Sequence, residues 1–279
     1  MDAMPRANAN GIELEYETFG DPGAASLLLI GGLGTQLVSW DEKFCELLAA
    51  RGYRVIRFDN RDAGLSAWTN VDYTLDDMAA DVAGLLDALD VRAAHVVGAS
   101  MGGFIAQLVA LDHRERVLSL TSMISGPNGE DQVPPTPEAQ ALLVVPPPPT
   151  REERIELALR SKRELLGPAD PFDDAYERAK ATRAIDRAYH PAGFARQLRA
   201  ILAAPSRLAR LRSLDVPALV VHGDADPLVP VDNGRKVAAA IPGARLLEIA
   251  GMGHDVPRRV WPQVTAAIDE VARPVTPVW

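Results

Sequence analysis

The sequence reads as an α/β protein: a mostly parallel sheet covered on both faces, with a mainly helical, Pro-rich cap inserted before the last two strands. Three observations carry this reading. Strand-like and helix-like segments alternate through both ends of the chain. The run Ser26-Leu-Leu-Leu-Ile30 is uninterruptedly apolar, as a strand buried on both faces requires. The alternation stops between about residues 125 and 212, where prolines and helical patterns replace it. The expected core is therefore residues 1–124 and 213–279, with residues 125–212 as the cap.

Each element has its own signal. Ile12 to Phe19 reads as an edge strand, with Ile12, Leu14 and Tyr16 alternating against Glu13, Glu15 and Glu17. Gly20-Asp21-Pro22-Gly23 is a turn leading to the Ser26–Ile30 strand. Residues 40–51 have a helical pattern closed by Gly52, and Tyr53 to Phe58 is the next strand, ending in the polar loop Asp59 to Ser66. In the segment 75–89, Leu75, Met78, Ala79, Val82, Leu85, Leu86 and Leu89 recur at helical spacing behind the cap pair Thr74 and Asp77. Its aspartates at 76, 77, 81 and 87 are expected on the solvated face. Ala94 to Gly98, residues 101–111 and Val117 to Met123 continue as strand, helix and strand. The rhythm resumes after Pro217 with strand 218–222, helix 232–240, strand 245–249 and helix 257–272.

In between, Pro127 to Pro149 contains Pro134, Pro135, Pro137 and the run Pro146–Pro149. Such a stretch forms neither a continuous helix nor a central strand. Helices are expected over 151–166, 171–189 and 191–203, set over the C-terminal edge of the strands, where open sheets bind ligands. The basic residues Arg151, Arg154, Lys162 and Arg163 read as an outer face of that cap rather than as an anion site.

Composition narrows the class. The chain has 279 residues, 29 Lys and Arg against 38 Asp and Glu, and a net charge of −9. That balance argues against a nucleic-acid-binding surface. The 47% hydrophobic content is ordinary for a globular protein and excludes a disordered chain. Cys45 is the single cysteine, which excludes an intrachain disulfide; within Phe44-Cys45-Glu46-Leu47-Leu48 it reads as a small buried hydrophobe. The N-terminal residues lack an apolar leader and no stretch approaches 18 continuous apolar residues, so a cytoplasmic protein without a membrane span is expected. Nothing indicates a cofactor, and without H-E-x-x-H or clustered Cys and His no metal is indicated.

The chemistry centres on Gly98-Ala99-Ser100-Met101-Gly102, a G-x-S-x-G sequence with a strand directly before it and a helix directly after. A turn so tight strains its central residue and raises its side chain, and only small flanking residues avoid a clash. The helix N-terminus below the hydroxyl favours developing negative charge. Ser100 is thus the candidate nucleophile, and it needs a base and an orienting acid. Among the five histidines, His254 lies in the glycine-rich loop Gly251-Met252-Gly253-His254, between a strand and the final helix, and can swing over the sheet edge. His222, which ends a strand, is the rival. The acid belongs after the strand ending at 222, in Gly223-Asp224-Ala225-Asp226-Pro227. Asp226 is favoured because Pro227 begins a rigid turn, while Asp224 is placed to bond loop amides. For the oxyanion, the backbone N–H of Met101 is one expected donor. The second comes from Gly31-Gly32-Leu33-Gly34, with Leu33 taken as donor and Gly32 as the alternative. That loop has neither a Lys-Ser/Thr continuation nor G-x-G-x-x-G spacing, so it is not read as a phosphate loop. Trp40 and Trp68 follow sheet-edge loops and line either a pocket or the core; Met101 and Met123 are candidates for apolar pocket wall; Trp279 has no readable role.

These pieces, with Asp59 to Ser66 and Gly223 to Pro230, occur in the order of the α/β-hydrolase superfamily, which the chain resembles over nearly its whole length. Within it, Arg57 to Ser66, Pro171-Phe-Asp-Asp174 and Gly251-Met-Gly-His254 are similar to the bacterial aclacinomycin methylesterase family. That resemblance implies hydrolysis of a methyl ester on a bulky polyketide, with other esters and lactones used by relatives. It also implies that the Asp59–Ser66 loop braces the active-site loops without a catalytic role. One departure is Gly31-Gly32, where relatives often carry His-Gly. The oxyanion donors are backbone groups, so activity is expected to survive it.

Serine at position 100 argues against dehalogenases and epoxide hydrolases of this fold, which use Asp there. The expected activity is carboxylic-ester hydrolysis on a small-molecule substrate. The alternatives are a proline-iminopeptidase-like aminopeptidase, which usually shows Gly-Gly-Pro-Gly in place of Gly31-Gly-Leu-Gly34, a lactonase, a carbon–carbon bond hydrolase, and a non-catalytic receptor built on the same fold.

Overall fold

The computed structural model describes residues 4–273. Trp279 and the outermost ends of the two expected core segments lie outside the described residues. Eight strands, β1 (Arg6–Ala9), β2 (Ile12–Phe19), β3 (Ala25–Ile30), β4 (Tyr53–Phe58), β5 (Ala94–Ala99), β6 (Val117–Met123), β7 (Ala218–Gly223) and β8 (Arg245–Ile249), form one sheet. Their order is β1-β2-β4-β3-β5-β6-β7-β8. The β1–β2 and β2–β4 pairs are antiparallel and the others parallel.

The first helices of the core are α1 (Glu42–Ala49), α2 (Leu75–Ala88) and α3 (Met101–Asp112). Between β6 and β7 come α4 (Pro137–Leu142), α5 (Arg151–Leu165), α6 (Asp174–Arg187), α7 (Pro191–Ala203) and α8 (Leu208–Leu211), so the cap enters before the last two strands. α9 (Val231–Ala240) and α10 (Trp261–Ala272) complete the core. Two apolar clusters form it: Met78, Leu85, Ile105 and Val109 belong to one, and Phe44, Leu48, Val264 and Ile268 to the other. Among the described residues no helix is long and apolar enough to cross a membrane.

Four expectations need correction. Ile12–Phe19 is not the edge, because β1 pairs outside it. Arg6-Ala7-Asn8-Ala9 shows no readable apolar period, but Asn10-Gly11 forms the two-residue turn at φ 51° and 79° that folds it back. Asp81 is not solvated: it is buried and accepts from Arg61 at 2.5 Å and Asn10 at 3.0 Å. Met101 and Met123 are not pocket wall; each is fully buried in one of the two clusters. Lys162 is not on the outer face, because it turns toward the core and pairs with Asp255 at 2.5 Å. Arg151 and Arg163 do lie outside, paired with Asp186 and Asp174 of α6.

The Thr74–Asp77 capping box forms as expected, each side chain meeting the other's backbone N–H. In the Pro-rich stretch the chain turns helical over Pro137–Leu142, with proline in the first turn and Thr136 as cap. Trp40 goes to the core, stacked on Phe44 with ring centroids 5.7 Å apart. Trp68 is half exposed and stacks on His190 at 4.0 Å.

Candidate active site

Ser100 occupies the turn between β5 and α3 at φ 57°, ψ −120°, a conformation that costs a non-glycine residue energy. The surroundings hold it there. Its N–H donates to Met123 O at 2.9 Å, and Ser125 Oγ donates to its carbonyl at 2.9 Å. Gly98 and Gly102 face each other across the turn, and a Cβ on Gly98 would fall on the carbonyl of Gly102. Met101 is the first residue of α3, so its N–H has no intrahelical acceptor.

The loop after β7 and the loop after β8 meet Ser100 from the other side. His254 Nε2 is 2.9 Å from Ser100 Oγ, and His254 Nδ1 is 2.8 Å from Asp226 Oδ2. Asp226 is buried, and its Oδ1 accepts the N–H groups of Leu228 and Val229 at 2.9 and 2.8 Å. Burial alone would push its carboxyl up. The neighbouring His254, the His222 ring and the Val229 amide outweigh that and hold it well below the usual carboxylate range.

The rival residues are engaged elsewhere. Asp224 Oδ1 accepts the Gly251 N–H at 2.6 Å, bracing the loop that carries His254. His222 is fully buried with Nε2 at 2.6 Å from Val229 O. His95 meets Ser119 Oγ at 2.9 Å inside the sheet, where burial pushes it down to about 4. His113 caps the far end of α3.

The expected oxyanion loop runs beside the nucleophile: a Cβ on Gly32 would lie 3.3 Å from that of Ser100. The Gly34 N–H donates to Gln197 Oε1 at 2.8 Å and the Thr35 N–H to Gly32 O at 3.2 Å. Those bonds occupy the amides of Gly34 and Thr35, and Leu33 and Gly32 remain the candidate donors of this loop. Among the described residues no three His, Cys, Asp or Glu side chains converge in the way a metal ion requires.

The cap is fastened to both banks of this site, through residues the sequence did not single out. Gln197 of α7 accepts from Gly34 and donates to Arg61 O at 2.8 Å. Gln36 Nε2 donates to Ala184 O and Ala188 O at 2.7 and 2.9 Å, satisfying carbonyls at the end of α6. Arg187 donates to Gln36 at 2.8 Å and pairs with the buried Glu15 and Asp59 at 3.1 and 2.7 Å. Asp59 also accepts the Leu37 N–H at 2.6 Å and Asn60 donates to Gly31 O at 3.1 Å, so the Asp59–Ser66 loop does brace the oxyanion loop. On the opposite bank Leu165 O accepts the His254 N–H, and Ala169 donates to Gly251 O at 3.1 Å. The only sequence signal for this docking was the polar Asp59-Asn-Arg-Asp62 segment.

Sheet order, cap position and the strained serine with its histidine and carboxylate define a serine hydrolase of the α/β type. The chain belongs to the alpha/beta hydrolase fold family, which matches residues 25–257. It is similar to rhodomycin D methylesterase DauP of Streptomyces sp. (strain C5), with 38% identity over 95% of this chain and 96% of that one. It is 29% identical to a 2-hydroxy-6-oxononadienedioate/2-hydroxy-6-oxononatrienedioate hydrolase of Paraburkholderia xenovorans (strain LB400), covering 87% and 84% of the two chains. Among solved structures it resembles the enol-lactonase from Burkholderia xenovorans LB400, with a TM-score of 0.80 and 27% identity over 96% of this chain and 99% of the other.

Proposed function

We propose that Ser100, His254 and Asp226 are the nucleophile, base and acid of a triad that hydrolyses the methyl ester, or another small-alcohol ester, of a bulky apolar metabolite. The chain is a carboxylic-ester hydrolase, and the observation that carries the residue assignment is the continuous hydrogen-bonded line from Asp226 Oδ2 through His254 to Ser100 Oγ. The methyl ester follows from the likeness to the rhodomycin D methylesterase.

In the first half-reaction Ser100 Oγ attacks the acyl carbon as His254 Nε2 takes its proton. The oxyanion forms toward the N–H groups of Met101 and Leu33, donors of a kind worth about 10²–10³ each in kcat. Collapse expels the alkoxide, which takes the proton from His254 and leaves as the alcohol. Water then attacks the acyl-serine, giving its proton to His254, and collapse returns that proton to Ser100 Oγ as the acid departs. Asp226 keeps the imidazole on the Nδ1–H tautomer and stabilises its cation without taking the proton.

Initial rates on p-nitrophenyl esters from acetate to decanoate, polyketide methyl esters, simple lactones and a proline anilide test this reading, with Ser100→Ala as the blank. Ser100-dependent turnover of esters, methyl esters of fused-ring acids above all, is the expected result. Preference for lactones would move the substrate toward the second reading, which the likeness to the enol-lactonase favours. Cleavage of the anilide alone would overturn the ester assignment.

A further inference from the structure

His222 is a buried histidine that the reaction above does not use. It sits in β7 one residue before the strand ends, and the loop that carries Asp226 folds back over it. Its Nε2 lies 2.6 Å from Val229 O and 3.4 Å from Asp226 Oδ2. A carbonyl oxygen only accepts, so the ring hydrogen is on Nε2. Nδ1 is then a bare acceptor, and it is buried with no partner. A buried polar atom left unsatisfied costs about 1–3 kcal/mol and calls for a reason. Packing fixes the ring in this pose: Gly234 of α9 presses on it so closely that a Cβ there would overlap Nδ1.

We infer that His222 is a positioning residue for the triad acid, holding the Asp226 loop through Val229 and keeping the Nε2 side of its ring beside the same carboxylate oxygen that faces His254. The inference rests on the triad reading given above. Val229 is held at both ends, its N–H by Asp226 Oδ1 at 2.8 Å and its carbonyl by His222. Asp226 Oδ2 thus has two imidazole nitrogens on it, at 2.8 Å from His254 and 3.4 Å from His222. The charged groups on the neighbouring elements turn elsewhere. Glu248, the register partner of His222 on β8, pairs with Arg235, which also holds Asp232. Lys236 donates to Asp131 O, while Asn233 is bonded to Val133. Next to His254 in the chain, Asp255 is paired with Lys162.

Without the polar Nε2 edge of His222 beside Oδ2, the Asp226 charge is less screened from that side and acts more strongly on His254. The loop also loses its grip through Val229. His222→Leu is therefore expected to lower kcat on p-nitrophenyl butyrate about tenfold or more, with KM within about threefold of wild type. The acid limb of its kcat/KM profile should move up by about half a pH unit. His222→Gln, whose amide N–H reaches the same place, should restore most of kcat and the original limb. An unmoved limb in His222→Leu, or a His222→Gln no better than His222→Leu, would overturn the inference. If His222→Leu does not fold, the His222→Gln profile and the histidine tautomer decide. In ¹⁵N-histidine-labelled wild type at pH 8, the ring signal missing from His222→Gln should show Nε2–H and bare Nδ1, and the opposite tautomer would overturn the proposal. Ser100→Ala keeps the two readings apart. Turnover that survives it removes the triad assignment itself, whereas a Ser100-dependent enzyme indifferent to His222 removes only this proposal.

Discussion

The backbone N–H of His254 donates to the carbonyl of Leu165, 2.8 Å away. His254, the base of the proposed triad, is thereby held through its backbone by the last residue of a cap helix and through its ring by Asp226. The contact depends on a close approach at Gly167, where a Cβ would run into the backbone of Gly251, Met252 and Gly253. Gly167→Ala should push this loop away, lowering kcat about tenfold while KM changes little. Steady-state kinetics, together with the rate of Ser100 labelling by a fluorophosphonate, measure that displacement.

Replacing the triad residues separates their roles. Ser100→Ala and His254→Ala should each lower ester turnover by at least about 10³-fold with the fold intact, leaving residual catalysis by the oxyanion donors. Asp226→Asn should cost far more activity than Asp224→Asn, because Asp224 bonds the Gly251 amide and does not touch His254. Circular dichroism alongside initial rates checks both comparisons; a larger loss from Asp224→Asn would reverse the assignment of the acid.

Arg187 lies between two buried carboxylates, Glu15 at 3.1 Å and Asp59 at 2.7 Å. Arg187→Met leaves Asp59 without a cation and Glu15 with Arg6 alone, at 3.3 Å. The expected loss is about 3 kcal/mol of unfolding free energy, the usual cost of breaking a buried pair on one side. Adding Glu15→Gln to that variant should recover part of the loss, and urea unfolding of the single and double variants measures it.

Acid should destabilise the protein in two steps. His95 and Asp226 both bind a proton less readily in the folded chain than in the unfolded one. Their contributions are complete above the unfolded values and fade as pH falls. For His95 the window runs from 6.5 down to about 4; for Asp226 the loss begins near 3.8 and continues below it. The His95 step is on the order of 2 kcal/mol. Urea midpoints between pH 7.5 and pH 4.5 should show it in wild type and lose it in His95→Gln.

Cys45 packs in the cluster beneath α1, and burial pushes its thiol up to about 12. It should not react with Ellman's reagent in the native protein and should titrate as one thiol once the chain is unfolded. Prompt native labelling would contradict that packing.

The elements of the site that were legible in the sequence are those whose geometry is local. The nucleophile turn is written in five consecutive residues, because glycine is needed where Gly98 and Gly102 approach each other. Asp226 could be told from Asp224 as the carboxylate that reaches His254, because the turn that aims it starts at the next residue. β1 was missed because its four residues carry no hydrophobic period, and its signal lay in the Asn10-Gly11 turn that follows. Asp81 went to the wrong environment for a different reason. Helical period places it near the polar face of α2, but its partners Arg61 and Asn10 come from distant parts of the chain. The cap contacts were least legible, because many use main-chain oxygens: Leu165, Arg61, Ala184 and Ala188 could be any residue type and still accept.

The double fastening of the cap bears on how such an enzyme changes its diet. Gln36, Arg187 and Gln197 tie the cap to the loop proposed to stabilise charge, and Leu165 ties it to the loop proposed to move protons. The cap is thus a brace between the two halves of the proposed catalytic apparatus. A cap transplanted from a relative would bring its own pocket but would also reset the spacing between those halves. Substrate choice and turnover are not separable modules here, and a lineage drifting toward a new ester must retune both together.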